Sequence, residues 1–389
     1  MSKGLDTAFM RKTLLALLAI PSPSADERAV ADYVVAVAAE LGYALKEDGA
    51  GKAIDGNCGN LYVKIPATDK TFPSLLLSAH LDTVGDLRAP QVIHDKTADR
   101  YHADGSTILG GDDKCGVAIL LALMKKIHAE KIPHGELLFV FSVSEETGLS
   151  GVEHFDSKLY AKLDGGIILD HGALNEIIVA APTKVQINLT VRGVGGHAAF
   201  PENHINAAQV AARAVSRLPS GRLDPGTTAN LGILWSGTAA NIIPDTGYAE
   251  YEIRSHSEQL LDFHLTNALT IIEAAVREAR VIHQSGEKNP RFSKATVDVD
   301  IETHYCRYAL ADEALPVRLL SGAFKGQNID FVKKPTNGGS DANVYNAKGL
   351  PTVVMGCGYY EPHGVGEYIE FAETVAAGEI LLKAVTTPA

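Results

Sequence analysis

The chain has little that would staple it covalently or carry it into a membrane. Its four cysteines (Cys58, Cys115, Cys306 and Cys357) are scattered over 389 residues and form no C-x-x-C pair. That usage argues against disulfides and predicts buried thiols in a reducing compartment. Positive charge is the scarcer sign, with 35 Lys and Arg against 47 Asp and Glu and a formal charge of −12. Neither nucleic acid nor an anionic membrane is an expected partner, because both need clustered cations. No run approaches the roughly 20 apolar residues of a membrane span. Low-complexity linkers and short internal repeats are also absent. Arg11 and Lys12 precede TLLALLAI, a stretch with the look of a secretory signal. It is at the short limit, no A-x-A site follows, and its spacing suits an amphipathic helix ending before Pro21. A cytoplasmic protein is therefore expected.

The apolar content of 46% is ordinary for a globular protein, and the length predicts two domains. To about Thr183 helix-like and strand-like stretches alternate. ERAVADYVVAVAAELGY places Val30, Val34, Val37 and Leu41 at helical spacing. SLLLSAHLD, ELLFVFSVS and GGIILD read as buried strands, and KCGVAILLALMKKIHAEK as a largely buried helix. This alternation predicts an α/β fold. From Lys184 the pattern changes to VQINLTVRG (strand), INAAQVAARAVSRL (helix), TTANLGILWSG and GYAEYEIRS (strands joined by a turn with Pro244 and Gly247), a long helix to His283, and TVDVDIETHY (strand). That order is β-α-β-β-α-β, a ferredoxin-like unit. The α/β pattern resumes with a helix over 312–326, the run PTVVMGCG and the helix FAETVAAGEILLKAV. Residues 1–183 and 310–389 are thus expected to form one domain and 184–309 an inserted second one, with hinges at the two crossings.

Chemistry-bearing side chains follow the apolar runs. His80 and Asp82 close SLLLSAHLD, Glu145 and Glu146 follow ELLFVFSVS, and Asp170 closes GGIILD. His363 lies beyond PTVVMGCG, and Asp112 and Asp113 sit in GGDDKCG. Open α/β sheets bind ligands beyond the carboxyl ends of their strands. Taken singly, each has an ordinary reading: a polar strand end for H-x-D, a helix N-terminus for GGDD, a turn or cap for Asp170, a surface loop for His363. The adjacent glutamates resist one, because two carboxylates after an apolar run repel each other unless positive charge lies nearby. A dinuclear metal site supplies that charge. Spacing alone does not choose between Glu145 and Glu146, or between Asp112 and Asp113.

HLDTVG, GGDDKCG, SEETG, ILDHG and EPHG resemble, in order and spacing, the motifs of the co-catalytic zinc exopeptidases. The resemblance spans nearly the whole chain. It is closest to the peptidase T-like branch through APTKVQINLTVRG, TTANLGILWSGTAANIIPD and NGGSDANVYNAKGLPTV. It implies a three-layer mixed-sheet catalytic domain with an inserted ferredoxin-like lid and dimerisation domain. It also implies two divalent ions, zinc first with cobalt or manganese as alternatives. His80 and Asp170 would complete one metal site, Glu146 and His363 the other, and Asp112 would bridge them through a carboxylate followed by a cis peptide. Asp82 would orient His80, and Glu145 would be the general base activating a water between the metals. His197, Asn241 and Arg254 of the inserted domain and Gly339–Ser340 of NGGSDA would contact substrate. Many relatives carry alanine before the first aspartate of GGDD, where this chain has glycine.

The implied activity is hydrolysis of short peptides, as a di- or tripeptidase of aminopeptidase type. A carboxypeptidase or amidohydrolase acting on acyl-amino acids or glutamate conjugates is the alternative on the same scaffold. A non-catalytic metal-binding or scaffold protein is the rival from another class, disfavoured because no ligand or base is missing. A homodimer through the inserted domain is implied, with that domain's histidine serving the partner's active site.

Overall fold

The computed structural model describes residues 4–85, 87–282 and 295–388. The chain divides into two compact units, one of Met1–Ala181 with Tyr308–Ala389 and the other of Pro182–Arg307.

The first unit is built on a mixed sheet. Its centre is four parallel neighbours in the order Leu137–Ser142, Leu75–His80, Gly165–His171 and Thr352–Gly356. Leu61–Ile65 pairs antiparallel with one side of this group and Glu176–Ala181 with the other. Leu75–His80 and Leu137–Ser142 are buried along their whole length, as strands covered on both faces must be. Successive side chains alternate between faces. Leu75, Leu77, Phe139, Phe141, Ile167 and Met355 join one core with the helices Thr7–Leu18, Arg28–Glu40, Gly111–Glu130, Leu315–Gly326 and Phe371–Val385. On the other face Ser142 donates to Asp341, the first residue of the helix Asp341–Ala347. The N-terminal stretch is the expected helix, capped by Asp6, with Met10, Leu14, Leu17 and Leu18 buried. Among the described residues no helix is long and apolar enough to cross a membrane.

The second unit is a five-stranded antiparallel sheet ordered Gly221–Asp224, Thr227–Ser236, Thr246–Ser255, Thr183–Arg192, Thr296–Tyr305. Val185, Ile187, Leu189 and Val191 alternate inward onto the helices Ala207–Val215 and Glu258–Ile282. The expected order β-α-β-β-α-β holds in this sheet with one added edge strand, and Gly196–His197 and Ile242–Ile243 form a separate two-stranded pair. Among the described residues that edge strand, Gly221–Asp224, pairs only with Thr227–Ala229. Further along the same edge Ile233, Leu234 and Trp235 are exposed at 43%, 46% and 55%.

Two boundaries differ from the sequence expectation, and a third falls on residues that are not described. The helix expected over 312–326 begins at Leu315, because Pro316 lacks an N–H and suits only a first turn. Gly247 belongs to the strand Thr246–Ser255 rather than to the turn, and a Cβ there would crowd Ala207 and Ala211 of the helix beneath it. The long helix is described to Ile282, and His283 lies outside the described residues. A small sheet made by Val92–Asp95, Arg100–Ala103, Tyr359–Tyr360 and Tyr368–Glu370 was not anticipated.

Candidate functional site

Because the four central strands are parallel, their carboxyl ends open at one edge of the sheet, where such folds bind ligands. His80 ends its strand, Asp170 is the penultimate residue of its own, and Glu145 and Glu146 follow Leu137–Ser142. His363 lies beyond Thr352–Gly356, in the loop between Tyr359–Tyr360 and Tyr368–Glu370, at a left-handed φ of 67°. Asp112 reaches the same place from the start of Gly111–Glu130. Gly110 turns the chain at φ 78°, Asp112 itself is extended at ψ 106°, and the Asp112–Asp113 peptide is cis.

The two oxygens of Asp112 face different partners. Oδ1 lies 3.2 Å from His80 Nε2, which is itself 3.6 Å from Asp170 Oδ1. Oδ2 lies 3.4 Å from His363 Nε2, which is 3.0 Å from Glu146 Oε1. Each carboxylate oxygen thus belongs to a separate histidine–carboxylate pair. Ligand atoms of His80, Asp112 and Glu146 fall within 4.8 Å of one another, close enough to surround an ion. His80, Asp112, Glu146 and Asp170 are enclosed, whereas the His363 side chain is 52% exposed. The centre is therefore open to solvent on the His363 side.

The electrostatics show a site short of positive charge. Burial, with the neighbouring charge of Asp170, holds Glu145 well above the carboxylate range. Burial pushes Asp170 up to about 6, against the pull of His80. Burial likewise raises Asp113 strongly and Asp341 to about 7. Asp112 is lowered: burial opposes its charge, but hydrogen bonds from His363 and His80 outweigh it. His80 is pushed well above its ordinary value by Asp112, Asp170 and Asp82 despite the opposing effect of burial. His363 rises to about 10 beside Asp112 and Glu146. Crowded buried acids with two imidazoles between them are the donor set of a divalent ion pair, which relieves the repulsion. The residues present fit such a group.

Other side chains hold these in place. Asp82 Oδ1 accepts the backbone N–H of Glu145 at 3.0 Å, and its Oδ2 accepts that of Glu146 at 3.1 Å and the Ser24 hydroxyl at 2.7 Å. His80 Nδ1 is set by the backbone carbonyl of Asp82 at 2.9 Å, which leaves Nε2 free to ligate. Asp113 accepts the backbone N–H groups of His80 and Gly116. Glu27 Oε1 holds Ser144 through its N–H and hydroxyl. Tyr359 donates to Asp170. Glu367 is buried and accepts the N–H groups of Leu109, Gly110 and Asp112 at 3.0, 2.7 and 3.0 Å. Glu27, Asp341, Tyr359 and Glu367 were not picked out from sequence. The only signal was Glu367 in EPHGVGE, four residues past His363.

The structure gathers His80, Asp82, Asp112, Glu145, Glu146, Asp170 and His363 at this one centre. Ser340 caps Asp341–Ala347 in a capping box, with its hydroxyl accepting from Ala342, and Gly339 precedes it. In the second unit His197 and Asn241 come together: Gly196–His197 pairs with Ile242–Ile243, and the Asn241 carbonyl accepts the Ala198 N–H. Arg254 is not with them. It lies at the far end of Thr246–Ser255, paired with Glu252 at 2.9 Å.

Comparison with known proteins agrees with this arrangement. Residues 181–280 match the family described as peptidase dimerisation domain, and residues 104–195 match M42 glutamyl aminopeptidase. The chain is 30% identical over 371 residues to the uncharacterized protein YqjE of Bacillus subtilis, covering 95% of each. It is 24% identical to a peptidase T of Clostridium botulinum over 81% of this chain and 82% of that one. Among solved structures, aminopeptidase PepT of Bacillus cereus aligns with TM-score 0.83 and 28% identity, and a tripeptidase of Staphylococcus aureus with TM-score 0.86 and 28% identity. Each alignment covers 98% of both chains. With these relatives and this two-part carboxylate–histidine centre, the chain belongs to the M20 family of metallopeptidases, in its peptidase T-like branch.

Proposed function

We propose that the protein is a two-zinc exopeptidase that removes the amino-terminal residue from short peptides, tripeptides above all. The observation that carries this reading is Asp112, whose two oxygens each face a separate histidine–carboxylate pair. In this assignment His80 and Asp170 would hold one ion, Glu146 and His363 the other, and Asp112 would serve both. Cobalt and manganese suit the same oxygen-rich donors. When bound, such ions polarise a carbonyl and lower the pKa of water.

Glu145 is the general base. Its carboxyl is enclosed and, without added positive charge, is held protonated by burial and by Asp170. With divalent ions held by the neighbouring ligands, their positive charge would favour the carboxylate form of Glu145. Its carboxylate takes the proton of the attacking water and delivers it to the leaving amine nitrogen. Asp82 fixes Glu145 and Glu146 through their backbone N–H groups, so base and ligand keep a constant separation.

His197, Asn241 and Arg254 are assigned to substrate, with Gly339 and Ser340 lining the pocket. Arg254 lies eight residues along Thr246–Ser255 from the end nearest Asn241, roughly 26 Å at the usual strand rise. An extended tripeptide spans only about 10 Å. One copy of the inserted unit therefore contributes either the His197–Asn241 pair or Arg254 to a given peptide. A homodimer resolves this, with His197 and Asn241 serving the partner's centre. The open edge with Ile233, Leu234 and Trp235 suits that association. The buried thiols Cys58, Cys115 and Cys357 accord with a cytoplasmic setting, while Cys306 is exposed rather than buried as the sequence suggested.

Digestion of tripeptides blocked at one end or the other, read by mass spectrometry with zinc-loaded protein, tests the reading. Cleavage that stops when the amino end is blocked supports it. Cleavage that survives an amino block but not a carboxyl block would establish a carboxypeptidase instead.

A further inference from the structure

Beside the metal centre lies a cavity of about 180 Å³ that belongs wholly to the first unit. Its wall shares chain neighbours with three site residues: Thr83 follows Asp82, Gly110 lies two before Asp112, and Val365 lies two after His363. The volume is below the roughly 300 Å³ at which pockets take a whole small ligand. It has the size for one side chain of a peptide held at the centre.

The lining is unusual for a chain with net charge −12. Lys114 and Arg88 both line it, and no Asp or Glu does among the described residues. Lys114 is 2% exposed, and among the described residues its ammonium makes one hydrogen bond, to the Ile20 carbonyl at 2.6 Å. An ammonium has three donors. The opposite charge that acts on it is Glu367, whose oxygens are engaged by the N–H groups of Leu109, Gly110 and Asp112. A buried cation with unmet donors is costly unless an anion or acceptor meets it. Gly110 lies against the ammonium, since a Cβ there would be in ordinary contact with Lys114 Nζ at 3.6 Å. Arg88 is exposed, and Val84, Pro90 and Ile108 supply apolar wall for a methylene stem.

Resting on the exopeptidase reading above, we infer that this cavity is a subsite for an acidic side chain next to the scissile bond, with Lys114 at its base and Arg88 at its rim. The substrates favoured are short peptides carrying glutamate or aspartate at that position.

The experiment compares kcat/KM of zinc-loaded protein on Glu-Ala-Ala against Leu-Ala-Ala, and on Ala-Glu-Ala against Ala-Leu-Ala. One of the two pairs should favour glutamate by about tenfold or more, the weight of one charge-assisted hydrogen bond. Arg88→Glu, at an exposed position, should lower that ratio severalfold and raise the rate on the matching lysine peptide. Lys114→Met should bring the ratio to about one where it folds. Ratios near one in the wild type, or a ratio that Arg88→Glu leaves unmoved, overturn the subsite while leaving the peptidase reading intact. Failure to cleave any of the four peptides sinks the peptidase reading itself, and the subsite with it.

Discussion

Asp82 accepts the backbone N–H of Glu145 at 3.0 Å, joining the end of one central strand to the turn after its neighbour. The same carboxylate takes the Glu146 N–H, while its carbonyl fixes the ring of His80. One residue thus sets the orientation of a proposed ligand and the position of both glutamates. Asp82→Asn puts an amide N–H against an N–H donor. Metal affinity or turnover should fall about 10–100-fold, the usual cost of losing a partner behind a metal ligand. Zinc titration alongside kcat checks it.

Glu145→Gln keeps the shape of the site and removes the proton acceptor. The variant should still bind two metal equivalents by elemental analysis, with turnover reduced about 10²–10⁴-fold. Near-normal turnover would remove Glu145 from the role of base.

Glu367→Ala would strand three buried N–H groups in the segment that carries Asp112. At about 1–3 kcal/mol for each unsatisfied group, stability should drop by about 3 kcal/mol or more. Urea denaturation of the metal-free proteins measures this. Weaker metal binding should accompany it, because Asp112 loses its mooring.

The histidines give the pH dependence its sign. His80 is raised well above its ordinary value and His363 to about 10, so both are protonated at pH 7 in the metal-free protein. Their pairing with the site carboxylates stabilises the metal-free fold fully below about pH 6.5. For His363 that stabilisation is lost as pH rises through about 10. Metals need neutral imidazole, so binding must expel these protons and weaken as pH falls. Calorimetric titration of metal in buffers of different ionisation enthalpy should show net proton release at pH 7. A heat independent of buffer would contradict it.

The catalytic half of this molecule is legible in the chain because parallel strands buried on both faces leave continuous apolar runs. The residues closing those runs (His80, Asp170, and Glu145–Glu146 shortly after) converge of necessity. What the runs leave undecided is which of two adjacent acids turns inward. Asp112 and Asp113 differ through a local backbone geometry that spacing does not encode. Glu367 and Asp341 are missed for another reason. Their partners lie 255 and 199 residues away, so only the folded chain shows that Glu367 caps the Asp112 segment and Asp341 meets Ser142. The strands Val92–Asp95, Arg100–Ala103, Tyr359–Tyr360 and Tyr368–Glu370 are too short for alternation to register. Arg254 and Asn241 read as one substrate grip in the sequence, yet the strand between them holds them apart.

The point of insertion has a consequence of its own. Ala181 and Tyr308 are direct antiparallel partners at the edge of the main sheet, and Lys184 faces Tyr305 just beyond. Entry and exit of the second unit are therefore already zipped together. Topologically that whole unit is the loop of a β-hairpin, grown to domain size. Cutting between Ala181 and Tyr308 and bridging them with a short turn would restore an ordinary hairpin. Such a pruned chain would keep every proposed metal ligand, and elements inserted at this place can be exchanged without disturbing the sheet that carries the chemistry.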